Sequence, residues 1–297
     1  VIVTFGSINA DLVFSVKEMP QPGQTLLADH FRTEAGGKGA NQAVAAARDG
    51  ANVVMIGSVG QDALAEVALQ NLVETVDVSR VGRVVEPTGC ASILIDSQGR
   101  NMIAVASGAN LVSSSDAVDD ALLQDARIVL MQMENHPLEI EKLTRRLNAV
   151  HCMSILNLAP ALRLEREVLS LCDLIVVNDD EAEALAGWLG CEPSAAELAR
   201  ALGTGVLKTL GGDGAEASAA GQYIRIPAFS VEVKDTTAAG DCFVGVLASA
   251  LDRGLSLEEA MKRAATAAGL ACSRSGSQSS IPLATETDQW LEKTEES

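Results

Sequence analysis

The sequence predicts an α/β fold on a largely parallel sheet covered on both faces. Short apolar runs of strand length alternate with helix-length stretches. The runs are apolar at nearly every position, as in strands buried on both sides. Of the 297 residues, 47% are hydrophobic and only 3% aromatic, so the core is aliphatic and ample for one large α/β unit or two small ones.

The expected strands are 1–6, 51–57, 127–133, 153–158, 173–178 and 205–210. The first opens the chain directly, so these residues read as a strand rather than a secretory leader. The expected helices between them are 39–50, 62–74, 137–150, 180–189 and 193–202. Ligand sites in such sheets gather beyond the carboxyl ends of the strands. Two stretches break the alternation. Residues 11–33 mix Pro20, Pro22 and Gly23 with short alternating runs, and 90–105 reads as a hairpin turning at Ser97, Gln98 and Gly99. Together they predict a small, separate antiparallel sheet. The last dozen residues read as a frayed helix.

Charge excludes several functions. The chain has 22 Lys and Arg against 40 Asp and Glu, a formal charge of −18. Without a basic stripe, neither nucleic acid nor an anionic membrane surface is an expected partner. No apolar run approaches the roughly 18–20 residues of a transmembrane helix. Cysteines 90, 152, 172, 191, 242 and 272 form no C-x-x-C pair. They are expected as buried, reduced thiols in a cytoplasmic protein. His30, His136 and His151 are scattered, which argues against a histidine metal site or a catalytic triad.

Five segments can carry chemistry, and each also has a plainer structural reading. In 233–251, the small-residue turn Asp235-Thr236-Thr237-Ala238-Ala239-Gly240 runs straight into an apolar helix. Free N–H groups and the helix dipole favour an anion there, and Asp241 on the first turn is a candidate base. It is also an ordinary helix-start residue. In Glu34 to Ala47, Gly36, Gly37 and Gly39 precede a helix bearing Lys38, Asn41 and Gln42, fitting neither the P-loop nor the dinucleotide fingerprint. Asn9 and Asp11 follow the first strand and can bond hydroxyls or merely form an Asx turn. Asn178-Asp179-Asp180-Glu181 can orient water around Mg²⁺ or start a helix. Thr209 leads into Gly211, Gly212, Asp213 and Gly214, which suits backbone contact with a nucleotide or a plain turn. Glu134 is one more carboxylate at a strand end.

In their order along nearly the whole chain, the motifs GSINAD, GGKGANQAVAAA, LMQME, N-x-x-EAE-x-L, DTTAAGD and SRSGSQSSIP resemble the ribokinase-like (PfkB-type) carbohydrate kinases. The resemblance implies a three-layer α/β/α sandwich with a mostly parallel central sheet. It implies one kinase domain over 1–297, with a small β-sheet lid from about 11–35 and 88–107 inserted in it, and a homodimer formed through the lid. The implied reaction moves the γ-phosphoryl group of ATP to the primary hydroxyl of a pentose, D-ribose foremost. Another furanose, 2-deoxyribose or a nucleoside is the alternative acceptor.

The resemblance also implies roles. Asn9, Asp11, Gly37, Lys38, Gly39, Asn41 and Glu134 would hold the sugar. Asp241 would take the hydroxyl proton, with backbone N–H groups of Ala238, Ala239, Gly240 and Asp241 around the transferred group. Asn178, Thr209, Gly211, Gly212, Asp213, Gly214 and Gly240 would contact the nucleotide, and Glu181 would govern Mg²⁺ through water. A K⁺ would sit among Asp235, Thr237, Ala271, Arg274, Gly276 and Ser280, with Arg274 offering its carbonyl. The chain departs from the family pattern in the interior of Asn178–Glu181, at Asp213 where a basic residue is usual, at Cys242 after the base, and at Ala265 near the expected adenine.

Overall fold

The computed structural model describes residues 1–98 and 100–295. Nine strands form one sheet. They are β1 (Ile2–Phe5), β4 (Val53–Val59), β5 (Asp77–Arg83), β8 (Ile128–Gln132), β9 (Met153–Asn157), β10 (Leu174–Val177), β11 (Gly205–Thr209), β12 (Ala215–Ala219) and β13 (Gln222–Ile226), in the order β13-β12-β11-β10-β9-β8-β1-β4-β5. Every neighbouring pair is parallel except β11–β12 and β12–β13. Along β10, Leu174 and Val176 join one apolar core while Ile175 and Val177 join another. The period of two sends successive side chains to opposite faces, and both faces are buried.

The first face packs on α1 (Lys38–Arg48), α2 (Ala63–Leu69), α3 (Leu72–Thr75), α9 (Ala239–Asp252) and α10 (Leu257–Cys272). The second packs on α4 (Asp120–Asp125), α5 (Pro137–Leu147), α6 (Arg166–Leu169), α7 (Asp179–Leu189) and α8 (Ala195–Leu202). The result is the expected three-layer sandwich. α11 (Ala284–Glu295) follows α10 and packs on it. No helix among the described residues is long and apolar enough to cross a membrane.

A second sheet holds β2 (Asn9–Ser15), β3 (His30–Gly36), β6 (Gly89–Ile95) and β7 (Asn101–Ala106) in the order β3-β2-β6-β7. It is mixed rather than antiparallel, because β2 and β6 run parallel. They follow β1 and β5, the two strands that flank β4 in the main sheet. The hairpin turn includes Gly99, which lies outside the described residues.

The structure corrects other expectations. The helix expected over 62–74 breaks into α2 and α3, because Gln70 and Asn71 end one and begin the next. β5 and β13 carry exposed, polar residues at the two sheet edges, and β12 between β13 and β11 is built of Ala, Glu and Ser, so none of the three stood out among the apolar runs. Only Cys172 and Cys242 are buried, while the other four thiols are half-exposed. The terminal helix runs unbroken to Glu295, with the last two residues outside those described.

Candidate active site

The chain leaves β1 in one direction through β4 and β5, and returns on β1's other side as β8. Strand order reverses at this point, and a crevice opens at the carboxyl ends of the strands. Into it project Ser7 and Asn9 beyond β1, Glu134 beyond β8, Asn157 at the end of β9, Asn178 beyond β10 and Thr209 at the end of β11.

Close backbone approach brings α1 to this edge. A Cβ on Gly39 would stand 2.5 Å from the Ser7 nitrogen and 2.6 Å from the Gly6 Cα. Gly37 has φ of 90° and equally little room, 2.8 Å from the Asn9 nitrogen. Both positions therefore require glycine. Ser7 locks the junction: its hydroxyl donates to Glu134 Oε2 at 2.5 Å and accepts from the Gly39 N–H at 3.2 Å. The Lys38 N–H donates to the same Glu134 oxygen at 3.1 Å.

Asp241 sits on the first turn of α9, buried beneath this edge. Asn41 Nδ2 donates to its Oδ2 at 3.0 Å, and Gln42 Nε2 to its Oδ1 at 2.9 Å. Ala238, at φ 58°, turns the chain into the helix. The Ala239 N–H is spent on the Thr236 carbonyl, whereas the Gly240 and Asp241 N–H groups have no acceptor among the described residues.

Two adjoining cavities meet at Thr209, Thr236 and Gly240. One, of about 250 Å³, is polar and lined by Lys38, Asn157, Asn178, Glu181, Ala238 and Asp241 among others. The other, of about 280 Å³, is an apolar slot whose lining includes Gly211, Gly212, Gly214, Phe229, Phe243 and Ala265. A larger cavity of about 720 Å³ lies away from this crevice, between α5, α6 and α7.

Electrostatics single out the carboxylates. Burial raises the pKa of Asp11 to about 7, helped by the negative charges of Glu134, Glu34 and Asp241. Its carboxyl lies where a Cβ on Gly36 would stand, 2.2 Å from Oδ2. Asp241 holds the Lys38 ammonium protonated above its ordinary range, outweighing the opposite effect of burial. Burial raises Glu181 as well, although the Asn178 N–H and Lys38 oppose it.

The structure brings most of the expected residues together and leaves some aside. Asn9 bonds Asn110, whose Nδ2 donates to its Oδ1 at 2.7 Å. Asn178 and Glu181 cap α7 reciprocally, so the helix-start reading of that segment holds, and Glu181 also lines the polar cavity. Asp213 is exposed and lines neither cavity. Asp235 ties two loops together by accepting from the Thr237 N–H at 2.9 Å and the Gly276 N–H at 3.0 Å. Burial works to raise its pKa, but these bonds prevail and hold it low. The Arg274 N–H bonds the Ala271 carbonyl while its guanidinium turns to Glu286. The buried Ser280 hydroxyl bonds the Ser277 carbonyl. Sequence reasoning named Gln42 without giving it a role, and passed over Ser7, Asn110, Gln132, Asn157 and Gln278. A carboxamide ending a strand buried on both faces, as at Gln132 and Asn157, was the available signal.

The pfkB family carbohydrate kinase pattern matches residues 1–284. The chain belongs to this family. The kinase is thus a phosphotransferase acting on a sugar hydroxyl. It is 38% identical to a ribokinase of Haemophilus influenzae over 303 residues, covering 98% of each chain. It is 33% identical to a deoxyribokinase of Salmonella typhi over 313 residues, covering 99% of each. The structure of Arabidopsis thaliana ribokinase complexed with ribose and ATP superposes with a TM-score of 0.87, at 29% identity and 98% coverage of both chains.

Proposed function

We propose that the kinase phosphorylates the primary hydroxyl of a pentose, D-ribose first, at the expense of ATP. The observation that carries this reading is the place of Asp241. It is clamped by two carboxamides on the first turn of α9, between a polar cavity and an apolar slot, beside two unspent N–H groups. Asn9, Asp11, Asn41, Glu134 and the backbone of Gly37 to Gly39 hold the sugar hydroxyls. Lys38 reaches from the same turn toward the transferred group. The apolar slot takes the nucleotide base, and Thr209, Asn178 and the glycines 211–214 take its ribose and phosphates. Asp241 accepts the hydroxyl proton as the oxygen attacks, and the Gly240 and Asp241 N–H groups meet the charge that develops on the phosphoryl oxygens.

The donor set fits Mg²⁺ only as an ion that keeps its water. Glu181 Oε2 accepts from the Asn178 N–H, and no cluster of three metal-ligating side chains exists among the described residues. Glu181 would hold the ion through water, and a bound Mg²⁺ supplies charge neutralisation for the phosphates. A K⁺ would be held at the loops that Asp235 joins, by Asp235, Thr237, Ala271, Arg274, Gly276 and Ser280, and would stiffen the turn before α9.

The small sheet, spanning 9–36 and 89–106, acts as a lid within one kinase domain, closing over the sugar and excluding water. Phe31, Met102, Ile103 and Val105 leave apolar surface on its two edge strands, which supports a homodimer through the lid. Measuring ADP release across pentoses, hexoses and nucleosides tests the substrate. Saturable turnover with D-ribose is expected. Turnover with 2-deoxyribose or a nucleoside but not ribose would replace the first reading with the second, which the Salmonella relative favours.

A further inference from the structure

Asp241 is held at both oxygens, and the groups that hold it are themselves held. On one side, Gln42 Nε2 donates to Asp241 Oδ1 and to Asn157 Oδ1, each at 2.9 Å, while Gln132 Nε2 donates to Gln42 Oε1 at 2.7 Å. Asn157 cannot turn over freely, because its Nδ2 donates to the Val176 carbonyl at 3.2 Å. The orientation of the Gln42 amide is therefore fixed. Reversing it would set its oxygen against two acceptors and its nitrogen against a donor, losing three buried hydrogen bonds. On the other side, Asn41 Nδ2 donates to Asp241 Oδ2, and Asn41 Oδ1 accepts from Gln278 Nε2 at 3.0 Å. Gln42, Gln132, Asn41 and Gln278 are all buried.

We propose that this relay of carboxamides, Gln132 to Gln42 on one side and Gln278 to Asn41 on the other, positions the Asp241 carboxylate for the transfer step, with Gln42 as its central positioning residue. The inference rests on the catalytic reading of Asp241 given above. Gln42 touches neither cavity, so it acts only through Asp241. Neutral donors at both oxygens fix the plane of the carboxylate without placing a second full positive charge beside it. Lys38 already supplies one charge from α1. The other ionisable groups that sense Asp241 are Asp11 from β2, Glu181 from α7 and the buried Cys242 thiol on its own helix.

The test compares the intact wild-type kinase with Gln42→Glu, Gln132→Met and Asp241→Asn by ADP release against pH, with melting curves to confirm folding. Gln42→Glu puts a carboxyl at hydrogen-bond distance from Asp241, so the pair shares a proton. Its kcat at pH 7 should fall about tenfold or more, with the sugar KM within about threefold. The acidic limb of kcat against pH should move up by about one unit or more, and activity should return as pH rises. That limb reads the contact between position 42 and Asp241. The positioning role is read by Gln132→Met, which removes a donor to Gln42 without touching Asp241. It should lower kcat several-fold at unchanged sugar KM, whereas a merely structural role leaves kcat of the folded variant at the wild-type value. A folded Gln42→Glu with an unmoved limb overturns the relay. If Gln42→Glu does not fold, Gln132→Met decides: a several-fold lower kcat at unchanged sugar KM supports the relay, and wild-type kcat overturns it. A wild type whose turnover survives Asp241→Asn removes the catalytic reading itself, and the relay with it. Turnover that depends on Asp241 but ignores both glutamine variants removes the relay alone.

Discussion

At the scale of the residue, Asp241 and Asp11 show how burial gives similar carboxyl groups different work. Asp241 receives two neutral N–H donors and faces the Lys38 ammonium. Asp241→Asn keeps the shape and removes the base, so kcat should fall by about 10²–10⁴ with modest change in sugar affinity. Rates near wild type in ADP release would take Asp241 out of the mechanism. Asp11 sits among Glu134, Glu34 and Asp241, and its pKa is raised from 3.8 to about 7. The folded state thus favours the protonated acid, and that contribution to stability is full below the unfolded pKa and lost as pH rises through about 7. Asp11→Asn should melt several degrees above the wild type at pH 8.5, and the gap should narrow steadily as pH falls toward 4. A gap independent of pH in thermal melts would refute the assignment.

At the scale of the element, α1 and α9 must touch for Asn41 and Gln42 to reach Asp241. Gly245 permits that contact: a Cβ there would stand 2.3 Å from the Gln42 carbonyl oxygen and 2.6 Å from the Ala45 Cβ. Gly245→Ala should separate the helices, costing about 1–3 kcal/mol of stability. It should lower kcat together with Tm, and an unchanged kcat in a destabilised variant would uncouple the helix crossing from the site. Glycine spacing made the approach of α1 to the strand edge legible in sequence, as the apolar runs made β1, β8 and β10 legible. Edge strands such as β5, exposed and polar, carried no comparable pattern. The parallel pairing of β2 with β6 joins residues about eighty positions apart, a register that no local periodicity encodes. In the site, charged and glycine residues announced themselves. The carboxamides did not, because Gln132 and Asn157 meet Asp241 only through Gln42, which lies 90 and 115 positions away from them in the chain.

At the scale of the whole molecule, the lid reading has a physical check. β7 is exposed along its whole length, with Met102, Ile103 and Val105 each about half accessible, and Phe31 exposed on the opposite edge strand. Ile103→Glu should convert a dimer to a monomer in light scattering, with the circular dichroism unchanged. A wild-type mass equal to one chain would dispose of the lid-dimer proposal. The charge of −18 makes an acidic molecule, yet the crevice presents Lys38 and unspent N–H groups, so it makes a positive spot of its own.

The clamp on Asp241 also sets an order in time. Asn41 and Asp241 are 200 positions apart, and Gln278 lies 237 beyond Asn41. At a synthesis rate of roughly 5–20 residues per second, the ribosome needs roughly 10–40 s after making Asn41 before Asp241 exists, and longer before Gln278 does. Throughout that interval the nascent chain holds the glycine turn and Lys38 but no fixed acceptor for a proton. On the catalytic reading of Asp241, a copy that has not yet reached that residue has no means of spending nucleotide.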